Sequence, residues 1–400
     1  MLFGEAEGDP GMHGRDPGET GNKSGVPDAG SIDTRGALSA EGELARAREL
    51  VLRHGWIATA YQILNPGISL WFPKTGDAVV GYADWGRVRV VAGAPICAPG
   101  DLAAVAARFE AESARLGLTV CYFAAGSRLE SALEGRADHA GVRLGAQPAW
   151  DPSAWPGILS GRPSLRAQLS RARNKGVTVG EWTAERASAS PELRRCLEDW
   201  LARRRMPSMH FLVEPQTLGR LWDRRVFVAE RQGAPIAFLV ASPVPVRKGW
   251  LIEQIVRARA APNGTAELMV DAAFRSAGRE GLEYFTLGLS PLSGLAQDRR
   301  AQGPWWLALL FRWLRLHGGR FYNFRGLERF KAKFMPREWE PIYAFCNRPA
   351  FTHRELFAIA AVFGGVSPFR FTAQALLKAA KLEGYWLLRG LRAFFTGPPA

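Results

Sequence analysis

Four hundred residues are more than one hydrophobic core needs, so two domains with appendages are expected. With 47% hydrophobic and 22% charged residues most of the chain should fold, and apolar runs such as Leu356–Val366 fall well short of the ~20 residues that cross a bilayer. The formal net charge of +14 points to an anionic partner, either nucleic acid or an acidic membrane surface, although a generally basic composition would look the same.

Residues 1–36 are rich in Gly, Pro, Asp and Glu and lack the basic start and apolar stretch of a signal peptide, so they read as a disordered tail. Helical periodicity covers Ala37–His54, with Leu38, Leu44, Ala47 and Leu50 on one side. Strand-like runs follow at Ile68–Phe72, Ala78–Tyr82 and Val88–Ala92, then a helix over Asp101–Leu116 and a buried type of strand over Leu118–Phe123. This mixture describes a first α/β or α+β domain over 37–155. A second unit of similar order spans 160–347. It contains a basic helix at Ser164–Lys175, strands at Val177–Trp182, Arg225–Glu230, Ala234–Ser242 and Trp250–Val256, a helix at Ala266–Arg279, a strand at Tyr284–Leu289 and a Trp- and Leu-rich helix at Pro304–His317. Residues 348–400 read as an amphipathic helical extension. In it Phe371–Phe395 mixes aromatics with Lys378, Lys381, Arg389 and Arg392, as an interfacial helix or one packed on the domain would.

Cys97, Cys121, Cys196 and Cys346 are scattered without a CxxC pair, and the six histidines show no HExxH. A reduced, cytoplasmic setting is expected, with neither a disulfide framework nor a metal site, and no cofactor is called for. The helix at Ser164–Lys175 carries Arg162, Arg166 and Arg173 on one flank and Arg171 and Lys175 on the other, which suits a nucleic-acid backbone, anionic lipid or plain solvent. Ser290 and Ser293 follow a strand in a Gly-bracketed loop outside any GxSxG elbow, so either a hydroxyl faces a cleft or the pair turns the chain. In Arg320–Phe334, Arg325, Arg329, Lys331 and Lys333 alternate with Phe321, Tyr322, Asn323, Phe324 and Phe330. That pattern fits a final strand with a charged flank that stacks a base while neutralising phosphate.

Arg320–Phe334, with Pro336 and Trp339, resembles the Phe-Tyr-x-Phe-x-Gly-Leu-x-x-Phe-Lys-x-Lys-Phe-x-Pro signature of the bacterial phosphatidylglycerol lysyltransferases, in the soluble part that follows their membrane-spanning half. Leu287–Gly294 is similar to that family's Leu-Gly-x-x-Pro-Leu-Ser-Gly segment, and the likeness runs from about residue 40 to 347. The resemblance implies two tandem GNAT-like domains, the second catalytic. It also implies transfer of an aminoacyl group from charged tRNA to phosphatidylglycerol, on the inner face of the membrane and peripheral to it. On that reading Arg257, Glu253, Gln254 and Ser290 serve the reaction, and Ser293, Tyr322, Asn323, Arg325, Lys331, Lys333, Arg166 and Arg173 bind aminoacyl-tRNA and the anionic phospholipid. Two features depart from the pattern. Where the family shows Asp-Leu-Met-Arg, this chain has Gln254-Ile-Val-Arg257; the neighbouring Glu253 should face the other way unless a bulge intervenes. The stretch Arg259–Thr265 has one glycine and Pro262 lacks an N–H, so the phosphate-cradling turn of CoA-dependent GNAT enzymes is not evident, and Glu267 in the following helix reads as a favourable charge near its start. An N-acyltransferase using acyl-CoA or an acyl carrier protein, and a non-catalytic basic module binding RNA or membrane, remain alternatives at this stage.

Overall fold

Runs of β-branched and aromatic residues punctuated by glycine turns all enter one twelve-stranded sheet in a computed structural model, which describes residues 34–204, 208–295, 303–317, 323–365 and 370. The first half runs α1 (Thr34–His54), β1 (Ser69–Trp71), β2 (Val80–Trp85), β3 (Val88–Ala92), α2 (Leu102–Arg115), β4 (Thr119–Ala125), α3 (Ser127–Ala132) and β5 (Ala140–Trp150). Next come α4 (Trp155–Ser160), α5 (Pro163–Asn174), β6 (Val177–Trp182), α6 (Ala184–Ala189), α7 (Pro191–Ala202), β7 (Arg225–Arg231), β8 (Ala234–Val244), β9 (Gly249–Arg257) and α8 (Thr265–Arg279). The described elements end with β10 (Tyr284–Thr286), β11 (Ser290–Pro291), α9 (Trp305–His317), α10 (Phe324–Ala332), β12 (Glu338–Cys346) and α11 (His353–Gly364).

The strand order is β1-β2-β3-β4-β12-β5-β10-β9-β8-β7-β6, with β11 on the edge of β5. Each half contains the same unit: an antiparallel pair (β2–β3, β8–β9), then a helix crossing to a parallel partner (α2 to β4, α8 to β10). All five residues of β3 are buried, as expected of a strand covered on both faces. The β7–β8 hairpin turns on Gln232 and Gly233, both at positive φ, which matches the right-handed twist of the flanking strands. Helix α8 is buried along most of its length, with Phe274 stacked between Trp155 (4.3 Å) and Phe285 (3.9 Å).

The halves are joined through the sheet itself, since β12 lies between β4 and β5, and β5 pairs with both β12 and β10. The expected closing strand is therefore displaced along the sequence. Residues 324–332 form a helix whose first turn is capped by Asn323, and the strand follows at Glu338–Cys346. Aromatic density in this segment imitates a strand, but Leu327 and Lys331, four apart, are the two buried positions, which is helical spacing. Tyr322, Arg320, Phe321 and Phe371–Phe395 lie outside the described residues. Among the described residues no helix is long and apolar enough to cross a membrane.

Candidate active site

Strands β9 and β10 run parallel through Leu251 and Thr286 and then part. β9 continues to Arg257, whereas the chain after Thr286 turns aside as β11 to pair with Ala146 and Gly145 of β5. The carboxyl ends of parallel strands that splay in this way are the usual place for a ligand in a sheet of this kind, which makes the gap between β9 and the loop after β10 the candidate cleft.

One wall of the cleft is the loop 286–294, and its shape is tightly determined. Thr286 Oγ1 donates to Pro148 O (2.7 Å) and accepts from Gly288 N (2.8 Å), while Gly288 and Leu292 both take positive φ. Lys331, reaching in from α10, donates to Gly288 O and Leu289 O, each at 2.8 Å. Its side chain is fully buried, and burial lowers its pKa well below the ordinary lysine range. Ser290 comes next; its Oγ is buried and has no partner among the described residues. Ser293 Oγ accepts from Leu295 N and Ser293 N donates to Ser290 O, so Ser293 makes the turn. The loop also presses closely on β5: a Cβ at Gly145 would lie 2.2 Å from Ser290 O. Gly145→Ala is expected to displace β11 and to lower stability by about 1–3 kcal/mol in urea titration, in line with overpacking at a rigid contact. An unchanged unfolding midpoint and m-value would mean that β11 moves aside freely.

The other wall is the end of β9, where the register contains a bulge. Ile252 pairs with Ala241 and Gln254 with Val240, leaving Glu253 extra. Ile252 and Ile255 both pack in the core beneath α8, so the two residues between them turn to the opposite face together. The alternation that would have separated Glu253 from Gln254 is thereby overturned. Gln254 is buried, its Oε1 accepting from Thr217 Oγ1 (2.6 Å) and its Nε2 donating to Pro215 O (3.3 Å). Both carboxylate oxygens of Glu253 accept from Arg224 Nε at 3.1 Å, and Oε1 also accepts from Gln62 Nε2 (2.7 Å), which donates to Ser242 Oγ as well. Arg224 donates further to Asn65 Oδ1, so a buried polar network ties the short 3-10 turn Tyr61–Leu64 of the first half to the β9 bulge. Arg257 ends β9, half-buried, and its carbonyl accepts from Arg203 Nη2 (2.8 Å).

Other residues singled out in the sequence have partners of their own. Lys333 pairs with Glu267 in the first turn of α8, and Arg173 pairs with Asp271 (2.9 Å), which also accepts from Arg275 and Trp155 Nε1. Arg166 donates to the carbonyls of Leu159 and Ser160 at the end of α4, while Asn323 caps α10 and Arg325 is exposed on it. Thr217, Arg224 and Gln62 escaped sequence reasoning: Gln62 and Glu253 are 191 positions apart, and no local pattern links them. At the start of α8 a Cβ on Gly264 would meet Gln168 O at 2.2 Å, so α5 lies directly against the turn that would have to cradle a CoA pyrophosphate. Among the described residues no group of three or more His, Cys, Asp or Glu could hold a metal ion.

The profile of the family described as phosphatidylglycerol lysyltransferase, C-terminal, matches residues 48–346. Among solved structures, the chain resembles the C-terminal domain of a lysylphosphatidylglycerol synthetase from Agrobacterium fabrum, with a TM-score of 0.69 at 24% identity over 82% of this chain and 98% of that one. It is also similar to L-PGS from Bacillus licheniformis (TM-score 0.67, 19% identity, 80% of this chain and 95% of that one). Likeness extends to FemX at a TM-score of 0.51 and 8% identity, over 80% and 97% of the two chains. At these identities the structural likeness speaks for a shared GNAT-like fold. No match is found among curated proteins.

Proposed function

Because the chain belongs to the phosphatidylglycerol lysyltransferase C-terminal family, we propose that this transferase moves an aminoacyl group from charged tRNA to the headgroup of phosphatidylglycerol, working from the cytoplasmic side of the membrane. In that reaction a glycerol hydroxyl of the lipid attacks the aminoacyl ester. A new ester forms, the ribose oxygen of the tRNA leaves, and the proton passes from the attacking to the departing hydroxyl. Such a step needs positioned donors for the developing oxyanion and a site shielded from water, so that hydrolysis does not compete.

The observation that carries this reading is the parting of β9 and β10 beside a braced loop, with the buried Ser290 hydroxyl unpartnered among the described residues in that loop and Arg257 at the end of β9. Exposed Arg171 on α5 and Lys175 just past its end, and Arg325 and Arg329 on α10, supply charge for a polyanionic donor. CoA-dependent acyl transfer is less well supported, since Pro262 offers no N–H and α5 lies against the turn at Gly264.

The donor amino acid on this reading carries no side-chain ammonium. Gln254, at the position where the family bears an acid, is neutral and held by Thr217 and Pro215, and the Glu253 carboxylate is engaged by Arg224. Lipid extracts from cells that overexpress or lack the gene, resolved by mass spectrometry, test both points. Aminoacyl-phosphatidylglycerol should rise with the gene, and Arg257→Ala should cut it about ten- to a hundredfold, as loss of a charge-assisted contact does. No aminoacylated lipid in any strain would overturn the reaction; lysyl-phosphatidylglycerol as the main product would overturn the donor assignment alone.

A further inference from the structure

We propose that helix α9 is the surface on which this chain settles onto an anionic phospholipid bilayer, with Trp305, Leu309 and Trp313 inserted at headgroup depth. The inference rests on the lipid-modifying reading above and adds the face that meets the membrane.

Residues four apart stack along one side of a helix, so these three make a single stripe. Trp305 is 76% exposed, Leu309 56% and Trp313 57%, whereas large apolar side chains in a folded protein are ordinarily covered. A contiguous exposed patch of this kind marks an interaction surface. The opposite side of α9 is firmly seated, with Leu307 buried and Trp306, Leu310 and Phe311 packed on the core of the first half. The exposure is thus not that of a loosely attached helix.

Charge decides in favour of lipid. Helix α9 contains no acidic residue, and Arg312, exposed, stands beside the stripe. On the adjoining α10, Arg325 and Arg329 are exposed, and the acid Glu328 is half-buried and paired with Arg315 at 3.4 Å. Tryptophan and leucine on one side with arginine along the flank is the composition of a helix lying in the headgroup layer of an anionic leaflet. The position is suitable as well. Arg315 Nη1 donates to Leu292 O (2.9 Å), so α9 is fastened to the same loop that Lys331 braces, and Leu295 of that loop is itself 43% exposed. A bilayer against α9 brings lipid headgroups next to the cleft.

The test uses the full chain with vesicles of phosphatidylcholine alone or mixed with phosphatidylglycerol. The wild type should cosediment with the mixed vesicles and only weakly with the neutral ones. Trp305→Ser/Leu309→Ser/Trp313→Ser should lower the vesicle partition coefficient at least tenfold, and Arg312→Glu, which leaves the apolar stripe intact, should lower it several-fold. Both variants should keep the wild-type unfolding temperature. With phosphatidylglycerol brominated near the headgroup, wild-type tryptophan emission should be quenched, and Trp305→Phe/Trp313→Phe should lose most of the quenching while still binding. Unaltered cosedimentation of the triple variant overturns the proposal. So does unaltered quenching of the Phe variant, which would put the contact on another tryptophan such as Trp386, and so does a wild-type dimer that the triple variant abolishes. These readouts need no turnover, so a chain that binds through α9 yet makes no aminoacyl lipid would refute the proposed reaction and leave the surface standing.

Discussion

Replacing Lys331 with methionine is expected to cost about 2–6 kcal/mol of stability and to reduce aminoacyl transfer by two orders of magnitude or more. Methionine has a similar reach and fits an apolar surrounding, but it leaves Gly288 O and Leu289 O, each now bonded to Nζ at 2.8 Å, without a donor inside the protein. An unsatisfied buried carbonyl costs about 1–3 kcal/mol, and the loss falls on one buried carbonyl, at Gly288, and one partly buried, at Leu289. The consequence for transfer is geometric, because Ser290 follows directly on Leu289 and can hold its place only while that loop is braced. Urea unfolding and a lipid-extraction assay on the same preparation measure both effects.

The same variant has a pH signature whose sign follows from burial. The pKa of Lys331 is lowered in the folded protein, so between that lowered value and the unfolded value near 10.5 the unfolded chain binds a proton that the folded chain does not. Wild-type stability therefore gains with rising pH across that window, by up to about 1.4 kcal/mol per pH unit, and the gain ends as pH passes the unfolded value. Lys331→Met should lack this contribution. Parallel stability–pH curves for the two proteins over that window would show that Lys331 keeps its proton in the fold.

Glu253→Gln should be the most damaging single change in the network behind β9, at about 3–5 kcal/mol. Arg224 and Glu253 are 5% and 9% exposed at their side chains, and removing one member of a buried pair strands the other charge away from water. The loss also reaches across the molecule, since Gln62 and Asn65 of the first half bond to the same two side chains. The double variant Arg224→Met/Glu253→Leu should recover most of the stability, because desolvation of both ions disappears with them. A single-variant cost below about 1 kcal/mol would instead describe a well-solvated pair of the surface kind.

How far the sequence reached depends on how local each feature is. Periodicity located β3 and β6 to the residue and α2, α5, α8 and α9 to within one residue at either end, because alternation and the 3.6-residue stripe record which face is buried. The Arg320–Phe334 signature and the Leu287–Gly294 segment were both singled out, and their described parts meet, with Lys331 of one gripping the loop of the other. Its role was not legible: a lysine in a basic, aromatic stretch reads as a phosphate-binding side chain, and only the packed structure shows it buried as a brace. Lys333 and Arg173 likewise find acids from afar, although Arg173 stays exposed. Glu267 lies 66 positions from Lys333, and Asp271 lies 98 from Arg173.

The sequence alone therefore determined the mixed α/β character, the strand–strand–strand–helix–strand order of the second half and the family, all of which are written in neighbouring residues. Tertiary structure decided three further things: the insertion of β12 between β4 and β5, the bulge that brings Glu253 and Gln254 to one face, and the choice of which cations are consumed internally and which stay exposed. Strand neighbours, bulges and ion pairs are settled by hydrogen-bond and charge partners that chain folding brings together from far apart, and a linear pattern carries no record of them.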